Sequence, residues 1–144
     1  MTVAAVLRQK GKAVVSVAPR ATVGAVADII ASQRIGAVVV QDPAGTMLGI
    51  VSERDVVKAL SSHGAEVLAL TAADLMTRDV ITATPETTVD RAMEIMDHGY
   101  FRHLPVIENG KLAGIVSIRD LVKYRMTLQE HEVESMKAYV WRQA

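Results

Sequence analysis

Two short segments pair a helix start with a cation and a carboxylate: Ser52-Glu53-Arg54-Asp55 and Ser117-Ile118-Arg119-Asp120. A serine followed three residues later by an acid forms a capping box, in which the two side chains satisfy free N–H groups of the first helical turn. Capping alone accounts for one such motif. The repetition, with arginine between serine and aspartate, admits a second reading. A helix N-terminus favours anions, and a guanidinium has fork geometry suited to phosphate. The aspartate is then an acceptor able to take two vicinal hydroxyls. Phosphate donors beside a hydroxyl acceptor describe a ribose phosphate.

Both motifs lie inside a larger duplication. Gly49–Lys58 and Gly114–Lys123 agree at eight of ten positions, and Pro19-x-x-Thr22-Val23 recurs as Pro85-x-x-Thr88-Val89. One inserted residue aligns the copies, and Asp42–Thr46, longer than Glu108–Lys111, is a loop that absorbs it. Two copies with a period near 65 residues suit half-domains facing across a pseudo-twofold axis better than a solenoid.

Each copy reads as strand, helix, strand, strand, helix. Val14–Val17 and Val80–Thr82 are the expected opening strands, each closed by a proline. Thr22 then caps a helix with Val23, Val26, Ala27 and Ile30 on one face, and Val89, Ala92, Met93 and Met96 mark the corresponding stripe. Hairpins follow: Ala37–Val40 with Met47–Val51 around a Pro/Gly turn, and His103–Ile107 with Leu112–Val116 around Asn109-Gly110. Ser52 and Ser117 open the closing helices. Unbroken apolar strands alternating with helices imply small mixed sheets covered by helices, an α/β class. Glu66 to Met76 reads as a connecting helix. From Arg119 to about Arg142 no Gly or Pro interrupts an extended terminal helix, whose Leu128, Val133, Met136 and Val140 need a partner surface. The divisions are repeat 1 with an N-terminal lead (1–62), a connecting segment (63–76), repeat 2 (77–125) and a helical extension (126–144).

Composition excludes several classes. Of 144 residues half are apolar, enough for a sizeable core, and no apolar run approaches the roughly 18 residues of a spanning helix. A cytoplasmic, non-membrane protein is expected. There is no cysteine, so thiolate chemistry and thiolate metal sites are absent, and no metal site is expected. Sixteen acids balance sixteen Lys and Arg, and the chain has only five aromatics, which disfavours nucleic-acid binding. Neither Gly-x-x-x-x-Gly-Lys nor Gly-x-Gly-x-x-Gly occurs, and nothing activates a nucleophile, so no enzymatic activity is expected.

With these motifs together, the region from about Lys12 to Lys123 resembles a pair of cystathionine-β-synthase (CBS) domains, also called a Bateman module. The resemblance rests on the doubled Gly-hydrophobic-hydrophobic-Ser-x-x-Asp ending, the Pro-x-x-Thr-Val helix opening and the middle hairpin. It implies two β-α-β-β-α repeats packed around a pseudo-twofold axis, followed here by the extended C-terminal helix. It further implies clefts that bind adenine nucleotides or related adenosyl compounds, AMP, ATP, NAD(H) or S-adenosylmethionine, in a regulatory role. By the same resemblance Asp55 and Asp120 hold ribose hydroxyls, and Ser52, Ser117, Arg54 and Arg119 lie near ribose or phosphate. Ala18 and Thr84 border the adenine, while Ile35, Gly36, Phe101, Arg102 and His103 line the clefts. His103 reads equally as an ordinary hydrogen-bonded histidine or a ligand contact. His63, His98 and His131 are assigned to surface or turn positions. Because Arg102, His103 and Arg119 gather in the second copy, the phosphorylated end of a ligand is expected there. A homodimer is expected through the terminal helix, and a separate regulated protein is the expected output. The alternative is a structural or interaction module with no nucleotide ligand.

Overall fold

The computed structural model describes residues 1–143. In chain order the elements are α1 (Val3–Lys10), β1 (Ser16–Val17), α2 (Val23–Gln33), β2 (Ala37–Gln41), β3 (Met47–Ser52), α3 (Glu53–His63), a 3-10 turn (Gly64–Ala69), α4 (Ala72–Leu75), α5 (Val89–Gly99), β4 (His103–Glu108), β5 (Lys111–Ser117) and α6 (Ile118–Gln143). Among the described residues no helix is long and apolar enough to cross a membrane.

The expected hairpins form because their turns suit them. Asn109 and Gly110 both have positive φ, 52° and 76°, the backbone that a two-residue hairpin turn demands. In repeat 1, β1 runs parallel to β2 and β2 antiparallel to β3; in repeat 2, β4 and β5 pair antiparallel. Both hairpins shift register at equivalent places, between Val40 and Gln41 and between Val106 and Ile107. The expected strand at Val80–Thr82 does not form. Its place is taken by one parallel bridge a residue later, Ala83 to Val106, carried by Ala83 N–H to Pro105 O and Ile107 N–H to Ala83 O.

The expected connecting helix from Glu66 to Met76 is broken at Leu70-Thr71. Thr71 is extended and caps a new helix with Asp74, so the helical turns on either side cannot run through it. This break sets up a crossing that the repeat pattern alone did not show. The N–H of Ala72 donates to Ala21 O and that of Ala73 to Pro19 O, while Val23 N–H donates to Leu70 O. At the N-terminus Val3 N–H donates to Thr87 O, Ala4 N–H to Pro85 O, and Val89 N–H to Met1 O. The threonines mark the symmetry, Thr22 bridging Thr71 and Thr2 bridging Thr88. Thus α1, unrecognised as a helix in the sequence, packs on the second repeat, and α4 packs on the first.

Two apolar cores follow. One joins Val3, Val6 and Leu7 of α1 to Val89, Met96, Leu104, Val116 and Leu121; the other joins Ala72 and Met76 to Val23, Val26, Val38 and Val51. The segments at 1–10 and 71–76 therefore contribute to the cores. Gly49 and Gly114 permit the close approach. A Cβ on Gly49 would stand 2.6 Å from Thr77 O, and one on Gly114 would stand 2.8 Å from a Leu7 methyl carbon. The first obstacle is backbone; the second is the movable end of a side chain. Gly49→Ala is therefore expected to cost about 1–3 kcal/mol, the scale of overpacking, and Gly114→Ala distinctly less. Urea midpoints at unchanged m-value measure the difference, and equal losses would show that the backbone contact does not govern it.

Candidate functional site

At the end of each hairpin the chain enters a helix through its serine. Ser52 Oγ accepts the Asp55 N–H at 3.2 Å while Asp55 Oδ2 accepts the Ser52 N–H at 2.8 Å. Ser117 and Asp120 repeat this at 3.1 and 2.8 Å. The next N–H in each helix donates across its own repeat, Glu53 to Gly36 O and Ile118 to Arg102 O. Each motif is thus a helix cap, and each also opens onto a cavity. Among the described residues, Oδ1 of both aspartates has no hydrogen-bond partner.

The smaller cavity, about 480 Å³, lies between the α3 start of repeat 1 and parts of repeat 2. It is lined by Ser52, Arg54 and Asp55, by Thr77 and Asp79–Ile81 of the crossing segment, and by Gly99–His103. The larger, about 970 Å³, reverses the roles: Ser117, Arg119 and Asp120 face Lys10, Ala13 and Val15 of the first crossing segment and Arg34–Ala37. Both volumes fall in the range of small-molecule sites. Gly36, Glu53, Arg102 and His103 line both cavities, so the clefts meet at the pseudo-twofold axis. There Gly36 leaves room for the His103 ring, since a Cβ would lie 2.7 Å from it.

Eleven of the thirteen residues singled out in the sequence line these cavities: Ser52, Arg54, Asp55 and Phe101 in the smaller, Ile35, Ser117, Arg119 and Asp120 in the larger, and Gly36, Arg102 and His103 in both. Ala18 and Thr84 line neither. Their polar groups shape the turns into α2 and α5, Ala18 O accepting from Ala21 N–H and Thr84 N–H donating to Thr87 Oγ1. Arg54 is less available than its place in the motif implied, because Nη1 donates to the carbonyl of Tyr100 in the opposing repeat at 2.9 Å.

The crossing segments bring residues that the motif did not mark, above all Lys10 and Asp79. They stand three residues beyond Leu7 and Met76, which fill the equivalent places against Gly114 and Gly49. Lys10 Nζ donates to Asp120 Oδ2 and to Ile115 O, both at 2.7 Å. In the other half, Ile50 O accepts instead from Thr77 N–H. Charge follows this difference. The larger cavity has Lys10, Arg34, Arg102, Arg119 and Lys123 against Glu53 and Asp120; the smaller has Arg54, Lys58 and Arg102 against Glu53, Asp55 and Asp79. Burial pushes the Asp120 carboxyl up, but hydrogen bonds from Lys10 and Ser117 outweigh it and hold the group below its ordinary range. Burial, aided by the charge of Arg102, holds the His103 imidazole below its usual value.

With this geometry the comparison with known proteins is direct: the CBS domain family matches residues 10–62 and 72–127. The chain belongs to the CBS domain family. A CBS-domain protein from Agrobacterium tumefaciens, ATU1752, shares 46% identity and superposes with a TM-score of 0.85 over 87% of this chain and 99% of its own. CBSX3, a mitochondrial CBS domain-containing protein of Arabidopsis thaliana, is 36% identical over 74% of this chain and 53% of its own length. The CBS domain pair of protein MJ0100, solved with 5'-methylthioadenosine and S-adenosyl-L-methionine, is 25% identical, with a TM-score of 0.76 over 86% of this chain and 98% of its own. The chain spans between about half and two thirds of the length of the curated relatives it matches first. CBS pairs are regulatory modules, and the two-repeat α/β architecture inferred from the duplication is the one this chain adopts.

The depressed histidine sets a pH dependence. His103 is neutral in the folded protein over a range in which the unfolded chain, with an ordinary value near 6.5, takes up a proton. Stability contributed by the neutral form is intact above that value and falls as pH drops through it toward the lower folded value. Urea unfolding at pH 7.5, 6.5 and 5.5 should show His103→Gln losing less stability than the native sequence across this interval. Parallel losses would remove His103 from the effect.

Proposed function

We propose that this CBS pair is a non-catalytic sensor that binds adenosyl compounds in its two clefts, with AMP, ATP, NAD(H) and S-adenosylmethionine the candidates. The observation that carries the reading is the aspartate at each cavity. Asp55 and Asp120 each spend Oδ2 on the cap and keep Oδ1 for a ribose hydroxyl. Apolar walls from Ile50, Val80, Ile81 and Phe101 in the smaller cleft give a purine a surface to stack against. The adenosyl ligands of the MJ0100 pair support the same ligand class. Phosphates belong in the larger cleft, where Arg102 and Arg119 join Lys10 and Lys123; the near-balanced smaller cleft suits an adenosyl group with little negative charge. The reading is of a cytoplasmic protein whose output is control of a regulated protein bound outside the clefts.

One feature favours the alternative of an interaction module without ligand. Lys10 and Arg54 already bond across the clefts. A ligand that uses Asp120 must therefore share it with Lys10 or displace it.

Calorimetric titration with the four candidates separates the readings. Asparagine is the informative replacement, because its carbonyl retains the cap while the free carboxylate oxygen is lost; alanine would also remove the cap. Asp55→Asn and Asp120→Asn should each weaken one site by about 1.5–3 kcal/mol, the scale of a hydrogen bond to a charged group. Arg102→Ala should weaken a nucleotide more than the matching nucleoside. No heat with any candidate, together with no small molecule released from protein purified without added nucleotide, would favour the interaction module.

A further inference from the structure

The terminal helix α6 presents two faces. Leu121 is buried in the second core, and Tyr124 packs against it. Rotated from that face is a second stripe, Met126, Gln129, Val133, Met136 and Val140, spaced alternately by three and four residues. Its four apolar members are each more than half exposed. This is the a/d pattern of a coiled coil, with Met126, Val133 and Val140 at a and Gln129 and Met136 at d.

We propose that α6 pairs with α6 of a second copy of this chain as a parallel two-stranded coiled coil. Three features choose the occupant and its direction. Val133 and Val140 put β-branched side chains at a, as two-stranded coils do. In the parallel arrangement, Glu132 at g meets Lys137 at e of the other helix, once on each side of the seam. These pairs fix orientation more than they add stability. Gln129 decides between the directions. Parallel helices place the two Gln129 side chains opposite each other, where their amides can hydrogen-bond; an antiparallel seam that sets Val133 against Met136 leaves each Gln129 buried against Val140 without a partner. The two folded bodies then lie side by side at one end of the coil, on a twofold axis along it.

The chain has no cysteine, so any introduced thiol reports alone. Light scattering at micromolar concentration should give a dimer for the native sequence. Val133→Glu combined with Met136→Glu should give a monomer with an unchanged melting temperature extrapolated to low concentration, since neither residue is in a core. Met136→Cys should oxidise readily to a symmetric disulfide dimer, whereas Glu134→Cys, on the outer face, should not. A monomeric native chain overturns the proposal, as does a dimer that survives the double glutamate substitution. A Met136→Cys protein that cross-links only when mixed with Val133→Cys overturns the parallel direction.

Discussion

The clefts depend on the close crossing of a backbone segment over the strand that ends in each Ser-x-x-Asp motif. At Gly49 the crossing backbone comes so near that a Cβ would meet Thr77 O, whereas at Gly114 the strand faces the Leu7 side chain. From the crossing follow both the joining of the halves and the composition of each cavity. α1 brings Val3, Val6 and Leu7 into the core of repeat 2, and the same chain then carries Lys10 and Val15 along the wall of the larger cleft. Core and cleft therefore share one segment. A change that loosens α1 would be felt at Asp120 before it was felt in repeat 1.

The duplication makes the two clefts comparable, and their differences are chemical. At the place where Thr77 N–H pairs with Ile50 O, the other half uses a lysine ammonium on Ile115 O. This substitution frees the lysine charge to reach Asp120, and it converts a backbone bridge into a contact that a ligand can compete for. The tightly bridged half keeps Asp79 instead, beside Asp55 and Glu53 in the lining of a smaller cavity. One fold thus offers two electrostatic environments without altering the cap geometry that positions either aspartate.

Repeats, hairpins, caps and the long terminal helix were legible because each is written locally, in turn residues, capping residues and helical periodicity. Most cleft residues were legible for the same reason, lying in or beside the duplicated motifs. Ala18 and Thr84 rest on the resemblance alone, since their polar groups shape the turns into α2 and α5 and neither lines a cavity. The crossing was not legible. Its hydrogen bonds join residues tens of positions apart, and α1 is too short and too weakly patterned to declare itself. One signal was available: Thr2-Val3-Ala4 and Thr71-Ala72-Ala73 extend the duplication upstream, and aligning Leu7 with Met76 would have brought Lys10 and Asp79 into view.

The aspartates show why a structural and a binding role need not compete. One carboxylate oxygen closes the capping box, which holds the side chain to a single rotamer and keeps it ionised when hydrogen-bond donors outweigh burial, as at Asp120. The second oxygen is then presented in a fixed direction at no further entropic cost, the condition under which a single hydrogen bond contributes most to affinity. A cap placed at the mouth of a cavity is a preorganised acceptor. The same helix could be capped by serine alone, so the acid three residues on is the part of the motif that leaves a second oxygen open to the cavity.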